Sequence, residues 1–230
     1  MSASAPKKET QSFYSTPEFG KGHRGREFRR LLDQAVILLR GGRIPSVADV
    51  ALAAGVSRAT AYRYFPSHSK LISTVVSEAL APVRQAVPDE GDAKQRLHVL
   101  LDRTYSRFRE YEPHMRAALQ LALEHQSLEA AGQLKEEPFR RGQRTLVLSA
   151  TLAPLRATLG ARAFDRLVMA LSVAYGIESL VVLKDICGAT DQRAEAVLRW
   201  MMDALVDAAL RDAKAAPPRR GRSAKSALHQ

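Results

Sequence analysis

The sequence predicts an all-α protein, with an N-terminal helix-turn-helix three-helix domain followed by a larger helical domain. Three observations lead there. Apolar residues recur at intervals of three and four along most of the chain, the period of an amphipathic helix. Within residues 46–65, Gly55 separates two short apolar-faced segments, each preceded by a serine able to cap it. The charge is also uneven. The 230 residues carry a formal net charge of +11, yet residues 21–85 hold 11 Lys and Arg against 4 Asp and Glu, while residues 86–212 hold 17 against 18. Residues 213–230 add five basic groups and no acid. A basic surplus confined to one small domain and one tail is the footprint of a polyanion-binding face.

Residues 1–22, rich in Ser, Pro, Lys and Gly, cannot bury enough surface to order themselves and read as a flexible arm. Lys21 to Arg26 can lie on phosphate or in a minor groove. A first helix is expected from about Gly25 to Arg40, with Phe28, Leu31, Leu32, Ala35, Val36 and Leu39 as its core stripe and Gly41-Gly42 as its end. Pro45 keeps the next entry extended, and Ser46 caps a helix whose apolar face is Val47, Val50, Ala51 and Ala54. Gly55 ends it, since a residue without Cβ enters the left-handed conformation cheaply. Ser57 caps the helix Arg58 to Phe65, whose outer face is read as Arg58, Thr60, Tyr62, Arg63 and Tyr64. Small Ala51 and Ala54 let the two helices cross closely, in the arrangement whose second helix enters the DNA major groove. Ser67 caps a fourth helix through Leu71, Val75, Val76 and Leu80 toward Arg84.

Residues 87–92, with Pro, Gly and acids and no periodicity, read as the domain boundary. Beyond it come a helix from Ala93 to Tyr111, with Leu97, Leu100, Leu101, Tyr105 and Phe108 inward, and another opened by Pro113 and carrying Met115, Ala118, Leu119 and Ala122. A break between Gly132 and Pro138 precedes a helix from about Phe139 to Ala153, ended or kinked by Pro154. Ala161 to Ile186 is apolar almost all round and is expected to be buried on several sides. A last helix runs from Asp191 to Asp212, and residues 213–230 read as a basic disordered tail.

The run AAGVSRATAYRYFPSHSKL resembles the DNA-binding domain of the TetR family of transcriptional repressors, and the likeness covers residues 23–84. An Ala-Gly turn alone is a weak signal; Ser-x-x-Thr-x-Tyr-x-x-Phe followed by Leu71 is a specific one. The resemblance implies a DNA-binding domain at 23–85 and an effector-binding and dimerisation domain at 93–212. It implies a homodimer on a palindromic operator in double-stranded DNA, released by a small-molecule effector. On it, Ser46, Ser57, Arg58, Ala59, Thr60, Tyr62, Arg63, Tyr64, His68 and Lys70 form the DNA face. Arg58 can pair with guanine, Thr60 can touch a neighbouring base or phosphate, and Tyr62, Tyr64, His68 and Lys70 position the backbone, helped by the helix N-termini at Ser46 and Ser57. The family commonly has Lys where this chain has His68, so Lys70 becomes the candidate phosphate contact. Ala61 is smaller than the Leu usual there. The expected pocket draws on Tyr105, Phe108, Met115, Leu119, Phe139, Arg140, Met169 and Tyr175, with Arg140 and Arg144 one turn apart as possible anchors for an anion. The family also pairs its last two helices with their symmetry mates; here Leu171, Val181, Val197, Leu198, Met201 and Leu205 lie on the matching stripes.

Other classes find less support. There is no Gly-rich phosphate loop, Gly-x-Ser-x-Gly, His-Glu-x-x-His or Cys/His ligand set, so no catalytic residue, metal or cofactor is expected. His114 and His125 read as surface or pocket-lining groups, and Cys187, after an apolar run, as a buried thiol. One cysteine fits a reducing cytoplasm. The first residues lack the apolar core of a signal peptide, and no apolar run reaches the length of a membrane span. An architectural or nucleoid-associated DNA-binding protein without an effector is the alternative.

Overall fold

The computed structural model describes residues 22–41, 44–85, 87–88, 90–139 and 143–215, and within them every regular element is helical. The predicted arm up to residue 21, Arg140, and the tail from residue 216 lie outside the described residues.

The first three helices are α1 (His23–Arg40), α2 (Val47–Ala54) and α3 (Arg58–Tyr64). Their caps are those expected. Ser46 forms a capping box with Asp49, Gly55 takes the left-handed conformation (φ 61°, ψ 39°), and the Ser57 hydroxyl accepts from Thr60 N. Helix α4 (His68–Gln85) is capped by Ser67, whose Oγ accepts from Lys70 N at 3.1 Å. The core of this reader unites Phe28, Leu31, Leu32, Val50, Phe65 and Leu71, with Phe28 and Phe65 rings 5.6 Å apart.

Helix α5 (Ala93–Ala130) opens on a second capping box, between Asp92 and Gln95. It joins the two helices expected on either side of Pro113, with a bend at Tyr111 (φ −113°, ψ 20°). Proline supplies no amide and its ring crowds the preceding turn, which accounts for the bend. Helix α6 (Gln143–Thr151) begins later than expected, and Phe139 lies ahead of it. Helix α7 (Arg156–Ala174) follows a 3₁₀ turn at Ala153–Leu155.

The apolar stretch to Ile186 is therefore not one helix. The backbone breaks at Tyr175-Gly176 before short α8 (Ile177–Val181) and a wide turn at Val182–Ile186. A Cβ at Gly176 would sit 2.4 Å from Nη2 of Arg144, so a side chain there would have to displace that guanidinium. Helix α9 (Asp191–Ala215) extends three residues into the segment expected to be disordered. Cys187 is exposed, not buried, because it lies just past the wide turn. Helices α5, α7, α8 and α9 share a second core that includes Leu100, Leu101, Phe164, Leu171, Leu198 and Met202. Among the described residues no single helix is long and apolar enough to cross a membrane.

Candidate nucleic-acid interface

The exposed side of α3 is Arg58, Ala59, Tyr62 and Arg63, with Thr60 half-buried at its edge. Positions i, i+1, i+4 and i+5 make one face of a helix, and Ala61 and Tyr64 make the opposite one. Tyr62 is 47% exposed, and Leu52 of α2 stands out beside the turn. Arg58 forms no ion pair among the described residues, so its guanidinium is available to a partner.

Tyr64 does not belong to that face. It is 4% exposed; its hydroxyl lies 3.2 Å from Arg24 O and 3.0 Å from Glu27 Oε2, and its ring packs 6.1 Å from Phe28. It tethers the start of α1 to α3. Arg63 lies over the Tyr64 ring and 3.7 Å from Glu27, so its charge is partly engaged. The Thr60 hydroxyl shares a 2.9 Å hydrogen bond with Ser57 Oγ, and both serines act as caps: Ser57 Oγ accepts from Thr60 N, while Ser46 and Asp49 close a capping box that already places a carboxylate at the start of α2.

His68 also departs from its expected role. Its Nε2 is buried without a partner, and burial holds the imidazole below the ordinary histidine value against the opposing pull of Glu136 and Glu124. That nitrogen is closed off from a phosphate. Lys70 is half-buried and forms no ion pair among the described residues.

Arg30 was not singled out in the sequence, yet it fixes the turn. From α1 it donates through Nε and Nη2 to Ala54 O and through Nη2 to Gly55 O at 3.1 Å, satisfying carbonyls at the end of α2. No local pattern marks it, since its partners lie 24 and 25 positions away.

Alongside α4, which packs against α5, the reader also meets the body where α1 lies against α5. His114 is fully buried, not at a surface, and its Nε2–H donates to Val36 O at 3.1 Å. Burial depresses its pKa, with Arg40 adding to the effect. Arg40 pairs with Glu110 at 2.9 Å and lies over the Tyr111 ring. His125, also buried, accepts from Phe139 N and faces Glu136 at 3.4 Å, anchoring the segment ahead of α6. Among the described residues no group of three His, Cys, Asp or Glu is placed to hold a metal.

The expected pocket residues divide. Tyr105, Phe108 and Tyr175 form one buried aromatic row, with ring centroids 6.2 and 6.4 Å apart, and Met115 and Leu119 pack in the same core. The Tyr105 hydroxyl is buried without a hydrogen-bond partner. Tyr175 donates to Thr104 Oγ1 at 2.6 Å, which in turn donates to Leu100 O; burial pushes the Tyr175 phenol up to about 12 and raises Tyr105 as well. Phe139 instead belongs to the reader's core. Met169 is 64% exposed on α7. Arg144, one turn from Arg140 in the sequence, is taken by Glu178 at 2.6 Å and Ser172 O at 2.7 Å.

The dimer residues divide too. Leu171 and Leu198 are buried between α7 and α9 of the same chain and face no partner. Val181, Val197, Met201 and Leu205 are half-buried. The fully outward apolar groups of these two helices are Met169, Val173 at 72% and Trp200 at 71% exposure. Trp200 lies one turn from Val197, and a lone tryptophan on that helix was the missed signal.

These features define an all-helical protein with a basic N-terminal helix-turn-helix braced against a larger helical body. Residues 32–75 match the family described as bacterial regulatory proteins, tetR family. Over 81 residues it is 31% identical to the HTH-type transcriptional repressor LfrR of Mycolicibacterium smegmatis; the match covers 34% of this chain and 43% of that protein, less than half its length. It is also similar to a solved structure, a TetR transcriptional regulator from Rhodococcus sp. RHA1, with 19% identity, 80% of this chain and 97% of that one covered, and a TM-score of 0.49.

Proposed function

We propose that this chain is a sequence-specific, dimeric DNA-binding regulator of transcription, acting in the cytoplasm as a repressor that leaves a palindromic operator when a small molecule occupies its C-terminal domain. The observation that carries the reading is the exposed face of Arg58, Ala59, Tyr62 and Arg63 on a helix whose turn is clasped by Arg30. A basic helix held on a rigid turn suits base contacts in a major groove. LfrR, to which part of the chain is similar, is a transcriptional repressor, and this agrees with the reading. The outward Met169, Val173 and Trp200 support pairing of α7 and α9 with a second copy, since an exposed apolar patch of this kind marks an interface. The partnerless Tyr105 hydroxyl in the aromatic row supports a ligand in the C-terminal core, because buried polar groups ordinarily have partners.

Selection and sequencing of DNA fragments bound by the purified chain tests the reading. One palindrome, or a few, with half-sites about 34–36 Å or a multiple apart is the expected result. Broad coverage without a shared motif would refute it in favour of architectural binding.

A further inference from the structure

A cleft of about 480 Å³ lies where the end of α1 meets the bend of α5, and neither the DNA face nor the aromatic row uses it. Leu39 and Ile44 contribute apolar wall from the reader side; Pro113 and Ala117 contribute it from α5. The volume is that of an ordinary small-molecule site.

The polar lining is not neutral in its demands. Glu112 is held by Arg116 at 2.9 Å and by Lys184 at 2.6 Å, and the Arg116 guanidinium also grips Asp185 at 2.6 and 2.8 Å. These groups satisfy one another and form a fixed charged wall. Arg109, exposed at the rim, has no ion pair among the described residues. Gln120, also exposed but about three turns further along α5, offers an amide. An apolar floor with one unmatched cation and one amide at its edge is complementary to a molecule with an apolar body and an anionic head.

We propose that this cleft is a binding site for a small carboxylate with an apolar tail, Arg109 taking the carboxylate and the Leu39, Ile44, Pro113 and Ala117 surface taking the tail. The site is separate from the Tyr105, Phe108 and Tyr175 row. Because the ligand would touch α1 and α5 together, its effect on DNA rests on the effector-responsive reading above; its binding does not.

The test uses the full chain with decanoate, decanol and decylammonium as probes, read by calorimetric titration and melting temperature without DNA. Decanoate should bind saturably and raise the melting temperature, with decanol and decylammonium weaker by about tenfold or more, the factor a charge-assisted contact carries. Arg109→Gln should erase the preference for decanoate over decanol. Gln120→Trp, which places a large ring at an exposed rim position without touching the core, should abolish binding of all three. Absence of saturable decanoate binding, equal binding by decylammonium, or unchanged binding in both variants would overturn the proposal. A parallel titration of operator DNA keeps the two readings apart: binding that leaves operator affinity unchanged upholds the site and refutes only its link to DNA release.

Discussion

Arg30 and Gly55 give the sharpest test of how the reader is built. Gly55 has φ 61°, and a Cβ added there would lie 2.9 Å from Arg30 Nη2. Gly55→Ala therefore has two costs: left-handed strain of about 1–2 kcal/mol, and displacement of a guanidinium that satisfies Ala54 O and Gly55 O. Hydrogen bonds to a charged group are worth about 1.5–3 kcal/mol, and exposure of this arginine places the loss near the low end. Arg30→Ala alone should thus lower stability by about 1–2 kcal/mol. In the Arg30→Ala background, Gly55→Ala should cost only its strain, because the guanidinium it would push away is gone. The double-mutant cycle should show a coupling of about 1 kcal/mol or more, measured from urea midpoints with m unchanged. Strict additivity would show that Arg30 does not hold the turn. Operator affinity should fall for Arg30→Ala without any change in base preference, since a loosened turn affects every contact alike.

Three further outcomes follow from the same geometry. Arg58→Ala should weaken binding to the selected operator by about 1–3 kcal/mol and relax one base position; unchanged preferences in both half-sites would exclude direct readout by Arg58. Val173→Glu with Trp200→Glu should give a folded monomer by light scattering, whereas Leu198→Glu, at a position buried within the chain, should unfold it; a dimer surviving the first pair would place the interface elsewhere. His68 and His114 both have depressed pKa values, so the unfolded chain takes up protons that the folded one refuses. The stability they contribute is intact above the unfolded histidine value of about 6.5 and is lost as pH falls below it. His114→Gln should make the loss between pH 7.5 and 5.5 smaller, and an identical slope in urea titrations would count against this.

The helix-turn-helix was legible because its signals are local. Ser46, Gly55 and Ser57 each act on the backbone within four residues of themselves, and each does what its type and place suggest. Tyr64 was misread because two turns of helix bearing aromatic groups on both faces give a weak period; its i+3 relation to buried Ala61 was the usable clue. Arg30, His114 and Phe139 were hidden because their partners are distant in sequence: Ala54 and Gly55, Val36, and the core beside α1. The α7 and α9 stripes show the related difficulty. Their apolar residues serve two purposes, and spacing does not say that Leu171 and Leu198 face each other's helices while Val173 and Trp200 face out.

The boundary between the two cores differs from the boundary in the chain. Residues 87–92 separate segments of unlike composition, yet Ala117, Ala118, Leu121 and Ala122 of α5 pack into the reader's core with Phe28 and Leu71. The first half of α5, with Leu97, Leu101 and Phe108, packs into the other core. Helix α4 crosses between them near Val76, which touches both. Helix α5 crosses at Tyr111 and Pro113, where its hydrogen-bond ladder is already broken. Through Val36 and Arg40 that bend is joined to α1, and through Arg30 α1 is joined to the turn in front of α3. Ten helical residues separate Arg30 from Arg40, about 15 Å at the usual rise, so one rigid element spans from the bend to the DNA-facing turn. One helix, α1, thus contacts both the bend of α5 and the turn in front of α3.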